Sequence, residues 1–256
     1  MQFSCAVVCG PGKIREINQD NYYLNGIYRD DPADNLARCE AVCAQNEVLC
    51  AVTDGMGGER HGEIASLIAV SSMDNVDRSE GIDGLRRYLL DRNEDICRFR
   101  LRNNRVRTGS TFVGIHIRDD RAGVINIGDS RAYLIRDGRL SQLSQDHTPL
   151  RQMVEMGILT PEAASRHPDR HKLTQYLGIF PEEMIIEPYA ASVQLHAGDL
   201  FLLCSDGLYD MLGDEKLQQL LSVSRNLYER ALVLYEEALD AGGKDNITAL
   251  LIQAGL

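Results

Sequence analysis

Five aspartates stand at the borders of short apolar runs. Asp20 and Asp245 come just before one, and Asp54, Asp129 and Asp206 just after one. A carboxylate set against a buried strand is unfavourable unless it is paired or coordinates a metal. The sequence offers only Arg15 and Arg131 nearby as basic partners. Hard oxygen donors in this number suit Mg²⁺ or Mn²⁺, which would be the simplest compensation. Asp54 and Asp206 are each followed by glycine, which lets backbone approach closely and leaves a bare carbonyl beside the carboxylate. Taken singly, an Asp-Gly step is equally an ordinary turn dipeptide. The set of five is what points to a metal.

Other catalytic templates fit poorly. There is no GxSxG elbow, no HExxH, no phosphate-binding GxxxxGK loop and no GxGxxG after a first strand. His167 and His171 have ligand-like spacing, but Pro168 lies between them, and they read as a satisfied or exposed pair. Cys5 and Cys9 fall in one strand-like run, roughly 13 Å apart, too far to share an ion. Cys39 and Cys43 lie in a polar stretch and read as idle thiols. Chemistry by bound metal and water is favoured over a protein nucleophile.

The chain of 256 residues carries 38 acidic and 27 basic side chains, a net charge of −11, which argues against general binding to nucleic acid or anionic membrane. No run approaches the ~20 apolar residues of a membrane span, and the N-terminus does not resemble a signal peptide. An odd number of cysteines, seven, suits a reducing compartment, so a cytoplasmic location is expected.

The elements that must position the aspartates can be read in order. Strands are predicted over 3–9, 22–24, 48–52, 111–117, 123–128, 131–135, 139–143, 190–195, 200–204 and 247–252. Residues 26–46 read as a polar surface insertion with a helical turn. From Glu63 the spacing is helical, with Ile64, Leu67, Ile68 and Ser71 on one face. A second amphipathic helix runs over 85–99, and its arginine-rich end (Arg98, Arg100, Arg102, Arg105, Arg107) reads as a solvated face. Residues 109–143 read as an antiparallel meander. Helical spacing returns over 214–221 and again from Leu227, where Gly242-Gly243 stops the stripe. An irregular stretch, 144–185, interrupts the strands and has the length of a functional flap or of a plain surface excursion.

At this point a resemblance is plain. Arg15-x-x-Asn18-Gln19-Asp20, Asp54-Gly55-Met56-Gly57-Gly58 with Gly62-Glu63-x-Ala65-Ser66, Gly109-Ser110-Thr111 and Gly128-Asp129-Ser130-Arg131 resemble the metal-dependent Ser/Thr protein phosphatases of type 2C. So do Gln145-Asp146-His147-Thr148, Leu173-Thr174-Gln175-Tyr176-Leu177-Gly178, Ser205-Asp206-Gly207-Leu208 and Asp245-Asn246-Ile247-Thr248. The motifs follow the family's order from about residue 3 onward, and Met56 resembles the bacterial branch.

The resemblance implies an α+β fold, a central antiparallel β-sandwich flanked by helices on both faces (αββα). It implies a single domain over 1–256, with no tail or second domain, and a flap subdomain at about 144–185. It implies two tightly bound Mn²⁺ or Mg²⁺ ions, with Asp54 bridging them and the Gly55 carbonyl on the first. Asp206 and Asp245 would hold the second, Asp20 would act largely through water, and Asp129 would help bind a third, weaker ion. Arg15 would clamp the substrate phosphate. Thr111 and Asn246 would support the ligands without touching metal, and Ser130 and Ser205 would be structural.

The implied reaction is in-line hydrolysis of phosphoserine and phosphothreonine in proteins by a metal-activated water, opposing a bacterial Ser/Thr kinase. A catalytically silent partner-binding relative and a phosphatase acting on a small regulatory protein are the alternatives. One departure stands out: bacterial relatives carry His after Asp-Gly-Met-Gly-Gly, where this chain has Glu59. His61, two positions on, is then a candidate leaving-group proton donor or a solvent-facing side chain.

Overall fold

The first apolar run forms β1 (Gln2–Gly10), buried on both faces from Cys5 onward. Burial on both faces erases the alternation of a one-sided strand. The computed structural model describes residues 1–35, 37–56, 61–223 and 225–255. One sheet has the order β10 (Arg139–Gln142), β9 (Arg131–Arg136), β12 (Leu200–Cys204), β13 (Ile247–Ala254), β1 and β4 (Arg38–Gln45). The other runs β11 (Tyr189–Gln194), β8 (Arg121–Ile127), β7 (Phe112–Arg118), β5 (Glu47–Met56), β2 (Asp20–Leu24) and β3 (Ile27–Tyr28), and β6 (Gly109–Ser110) pairs with the end of β5.

Three apolar layers hold this together. Between the sheets lie Val7, Tyr22, Val52, Val113, Phe201 and Leu250. The second sheet's outer face buries Leu49, Phe112 and Ile125 against α1 (Gly62–Val70) and α2 (Ile82–Arg102). The first sheet's outer face buries Leu202 and Leu251 against α5 (Asp206–Ser222) and α6 (Leu227–Asp240). Each fully buried side chain of this kind contributes about 1.5–3 kcal/mol. The architecture is the αββα sandwich the resemblance implied.

Several local expectations are corrected. The polar stretch 26–46 contains β4, an edge strand pairing with β1 from Gln2↔Gln45 to Cys9↔Arg38. Its Ala, Glu and Gln residues are weak strand formers, tolerated because one edge of the strand is unpaired. The expected meander is two hairpins in opposite sheets: β7 pairs with β8 in one and β9 with β10 in the other. The chain changes sheet at Gly128-Asp129-Ser130.

Helix α1 buries Gly62, Ala65, Ser66, Ala69 and Val70, not the predicted face of Ile64, Leu67 and Ile68. Small residues win because the helix lies very close to β5; a Cβ on Gly55 would sit 2.1 Å from the Gly62 carbonyl oxygen. Helix α5 begins at Asp206, earlier than the spacing suggests, with non-helical backbone at Gly213 (φ 69°). Arg100 is buried, donating to the carbonyls of Gly178 and Val106, while its neighbour Arg98 is exposed.

The irregular stretch between β10 and β11 carries α3 (Pro149–Glu155) and α4 (Pro161–Ser165), each started by a threonine cap and a proline. It is tied to α2 by Asn93, whose amide bonds the Gly178 N–H at 2.6 Å and the Ile179 carbonyl at 3.0 Å.

The same crowding fixes the start of α2. Replacing an interior helical glycine by alanine ordinarily stabilises by up to ~1 kcal/mol. At Gly84, however, a Cβ would lie 2.2 Å from the Asp77 carbonyl oxygen. Gly84→Ala is therefore expected to destabilise by about 1–3 kcal/mol, read as a lower urea midpoint; a raised midpoint would show that the contact yields.

Candidate metal centre

Strands β2 and β5 are register neighbours, and their pairing sets Asp20 opposite Asp54. Asp129 enters where the chain changes sheet, Asp206 is the first residue of α5, and Asp245 directly precedes Asn246 and β13. Arg15, Asp54, Gly55, Asp129, Asp206 and Asp245 line one cavity of about 210 Å³. Asp20 is fully buried behind it.

Backbone approach makes this assembly possible. A Cβ on Gly55 would clash with Gly62 and with the Gln19 carbonyl, and one on Gly207 would lie 1.9 Å from the Asn246 carbonyl oxygen. Both Asp-Gly steps are thus close-approach sites. Hydroxyls then orient the carboxylates. Ser205 Oγ and Thr248 Oγ1 donate to Asp20 Oδ2 at 2.6 and 2.7 Å. Thr111 Oγ1 accepts from the Asp54 N–H at 2.9 Å and meets Ser130 Oγ at 2.6 Å.

Asn246 ties down the loop that carries Arg15. Its Oδ1 accepts from the Gln19 N–H at 2.9 Å, and its Nδ2 donates to the carbonyls of Pro11 and Ile17 at 3.1 and 3.0 Å. Arg15, half exposed at the mouth, donates from Nη2 to Asp245 Oδ2 at 2.7 Å.

Three carboxyls are pushed up in pKa, each first by burial. Asp20 rises to about 7, with its two hydroxyl donors opposing and Asp245 and Asp206 adding to the shift. Asp54 is held well above the usual range by burial and then by Asp20, Asp206, Asp129 and Asp245. Asp129 is raised likewise, by burial and then Asp206 and Asp146. This is a pocket of like charge with too little cation to offset it.

One further titratable group borders the cavity, and an arginine cluster lies in the neighbouring one. His171, from the stretch between β10 and β11, lines it. Its Nδ1 lies 3.1 Å from Asp206 Oδ2 and its Nε2 3.2 Å from Asp210 Oδ2, and these hydrogen bonds raise its pKa to about 10. Asp129, His171 and Asp206 each place a ligand atom within 4.8 Å of the others. Asp146 holds Arg131 through Nε and Nη2, the latter at 2.7 Å, and the Arg131 guanidinium lies 3.8 Å from the centre of the Tyr209 ring.

The family model for protein phosphatase 2C matches residues 25–241. The chain belongs to the protein phosphatase 2C family. A serine/threonine phosphatase of Listeria monocytogenes, Stp, is 30% identical over 96% of this chain and 93% of its own. The Mycobacterium tuberculosis serine/threonine phosphatase PstP/Ppp has a crystal structure 31% identical that covers both chains completely, with a TM-score of 0.83. A structure of the PstP catalytic domain in complex with two manganese ions is 30% identical, also over both chains, with a TM-score of 0.79.

In this phosphatase the residues the sequence singled out mostly converge. Arg15, Asp54, Gly55, Thr111, Asp129, Asp206, Asp245 and Asn246 share the cavity wall, and Asp20 backs it. His61 stands apart. It precedes α1 at φ 73°, and its ring meets Phe99 edge-on at 5.7 Å, off the cavity wall. Glu59, with Gly57 and Gly58, lies outside the described residues. His171 was set aside in sequence through its pairing with His167, and nothing local in the sequence joins it to Asp206. The separation of Asp206 and Asp210 by one helical turn was the available signal, since it presents two carboxylates on one face.

A divalent cation fits this donor set. Among the described residues five buried side-chain N or O atoms have no hydrogen-bond partner, and the two oxygens among them are Asp20 Oδ1 and Asp206 Oδ1. Orphaned carboxylate oxygens facing other carboxylates are suited to hard cations.

The raised carboxyls also set a pH dependence. Between the unfolded carboxyl range near 4 and about 7 for Asp20, the folded chain binds more protons than the unfolded one. Stability therefore falls as pH rises through that window. In EDTA the melting temperature should drop by about 5 °C or more from pH 5 to 7.5, and added Mn²⁺ should restore more at pH 7.5 than at pH 5. A flat profile would mean that the carboxyls are not mutually strained.

Proposed function

We propose that the chain hydrolyses phosphoserine and phosphothreonine esters in proteins, using two Mn²⁺ or Mg²⁺ ions, as a counterpart to a Ser/Thr protein kinase. The observation that carries this is the convergence of Asp54, Asp206 and Asp245 on one cavity with a guanidinium at its mouth. The relative whose structure holds two manganese ions supports the choice of cofactor. In this reading Asp54, the Gly55 carbonyl, Asp206 and Asp245 hold the two ions, with Asp20 behind them and Asp129 toward a third. Bound there, the ions would offset the carboxylate charge and, as Lewis acids, make a water nucleophilic at neutral pH.

The chain's own residues supply the remaining tasks. Arg15 presents a planar pair of donors at the mouth and exchanges its Asp245 contact for phosphoryl oxygens when substrate arrives. Asn246 keeps the Arg15 loop from retreating, since three of its bonds reach that loop. His171, bonded to Asp206 and Asp210, draws the 144–185 stretch against the ligands as a flap. We assign no proton transfer to His61, whose ring packs edge-on against Phe99 and does not line the cavity. The whole of residues 1–256 acts as one catalytic domain. No helix among the described residues is long and apolar enough to cross a membrane, in keeping with a cytoplasmic enzyme acting on phosphoproteins.

Hydrolysis of p-nitrophenyl phosphate should require Mn²⁺ or Mg²⁺, stop in EDTA, and fall roughly 100-fold or more in Asp206→Asn. Metal-independent turnover, or none in the wild type, would sink the reading. On a phosphothreonine peptide, Arg15→Ala should raise KM about 10-fold, with partial recovery in Arg15→Lys. His61→Ala should leave kcat within about twofold and its pH profile unchanged, whereas His171→Ala should lower kcat.

A further inference from the structure

At the opposite end of the second sheet lies a cavity of about 530 Å³ that the phosphatase reaction does not use. Glu47, beside it, and Asp54 stand at the two ends of β5, seven residues or roughly 23 Å apart. The cavity floor is the β7–β8 hairpin. Register pairs Arg118↔Arg121 and His116↔Gly123 put these four residues on one face of the sheet, and Ser192 on β11 pairs with Gly123. The wall is the turn Arg78–Glu80 and the start of α2, where Ile82 closes down on Gly123.

The chemistry of this lining runs against the composition of the chain. A protein of net charge −11 here gathers three arginines and a histidine around one cavity whose lining includes a single carboxylate, Asp119. Asp119 is largely exposed and lies 3.9 Å from Arg118 Nε. Arg78 is occupied, reaching Glu47 at 3.7 Å and the Tyr23 hydroxyl at 3.5 Å.

The other two arginines retain donors. Arg118 spends Nη1 on the Arg78 carbonyl at 3.4 Å, and Arg121 spends Nη2 on Ser192 Oγ at 2.7 Å, with no carboxylate partner among the described residues. His116 is 5% exposed and gives Nε2 to Glu47 at 2.8 Å, while its Nδ1 has no bond among the described residues. No side chain caps α2 at Gly81, so the positive end of a 21-residue helix dipole opens on the same space.

We propose that this cavity binds a phosphate group, at a second site separate from the metal centre. Arg118 and Arg121 hold its oxygens in fork geometry, with the α2 terminus and the Ser192 hydroxyl completing the cradle, while the Ser79 hydroxyl is taken by Asp77 Oδ1 at 2.6 Å. The group is either a free phosphate ion or a phosphorylated side chain of a protein, and both have the same recognition chemistry. The site does not depend on the catalytic reading, because none of its residues lines the metal-centre cavity.

Equilibrium dialysis of the full chain with radiolabelled inorganic phosphate tests this. In EDTA, where the metal-centre carboxylates repel anions, the wild type should bind one equivalent. Arg118→Ala/Arg121→Ala and Ser192→Glu should each weaken that binding at least tenfold, and Asp206→Asn should leave it unchanged. In Mn²⁺ the wild type should bind one equivalent more than the double variant, while p-nitrophenyl phosphate turnover in the double variant stays at the wild-type level. Stronger competition by a phosphoserine peptide than by unlabelled phosphate identifies a protein-borne group, and the reverse identifies the free ion. No saturable binding in EDTA, binding indifferent to both arginine-site variants, or binding lost in Asp206→Asn would overturn the proposal.

Discussion

Repulsion between carboxylates is the constraint on which this structure turns. Two unit charges 4 Å apart interact by about 4 kcal/mol at an effective dielectric of 20, so several such pairs rival the whole stability of a domain. Asp54 alone feels four neighbouring aspartates. Such a cluster persists only if the rest of the molecule holds it in place, and three apolar layers do so. The sandwich is the clamp, and the site is the strain it contains.

Positioning depends on two kinds of contact. Glycines at 55, 62 and 207 bring backbones within a distance that any side chain would forbid. Hydroxyls of Ser205 and Thr248 then decide which carboxylate oxygen is already engaged, while Thr111, braced by Ser130, holds the Asp54 backbone. At Asp20 they fill one oxygen and leave the other bare. The direction in which the cluster stays unsatisfied is therefore a property of neutral neighbours as much as of the aspartates.

What the sequence disclosed follows from the range of each interaction. Asp54-Gly55 and Asp206-Gly207 were legible because strand end, carboxylate and glycine are consecutive, and the same holds for the amphipathic stripes of α2 and α6. The strand β4 was hidden because the polar run ahead of it, from Arg29 to Asn35, coloured the whole stretch, although Cys39, Ala41, Val42, Cys43 and Ala44 are apolar. The change of sheet at Asp129 left no mark, since strands of either sheet look alike when both faces are buried. The face of α1 was misread because close packing selected Ala and Ser over the larger Ile64 and Leu67. His171 could not be joined to Asp206, 35 positions on, by any local pattern.

The contacts of Asn246 and Thr248 bear on how such a site comes into being. Thr248 reaches Asp20 and Asn246 reaches Pro11, separations of 228 and 235 residues. During vectorial synthesis, β1 emerges long before its partner β13 and must wait with one edge unpaired. The pocket of repelling charges therefore closes only as β13 arrives, and the same strand completes two of the apolar layers, through Leu250 between the sheets and Leu251 on the outer face. Until β13 has been made and paired the chain is in this sense inert by construction: Asp20 lacks its Thr248 donor, and the arm that carries Arg15 lacks its Asn246 tether.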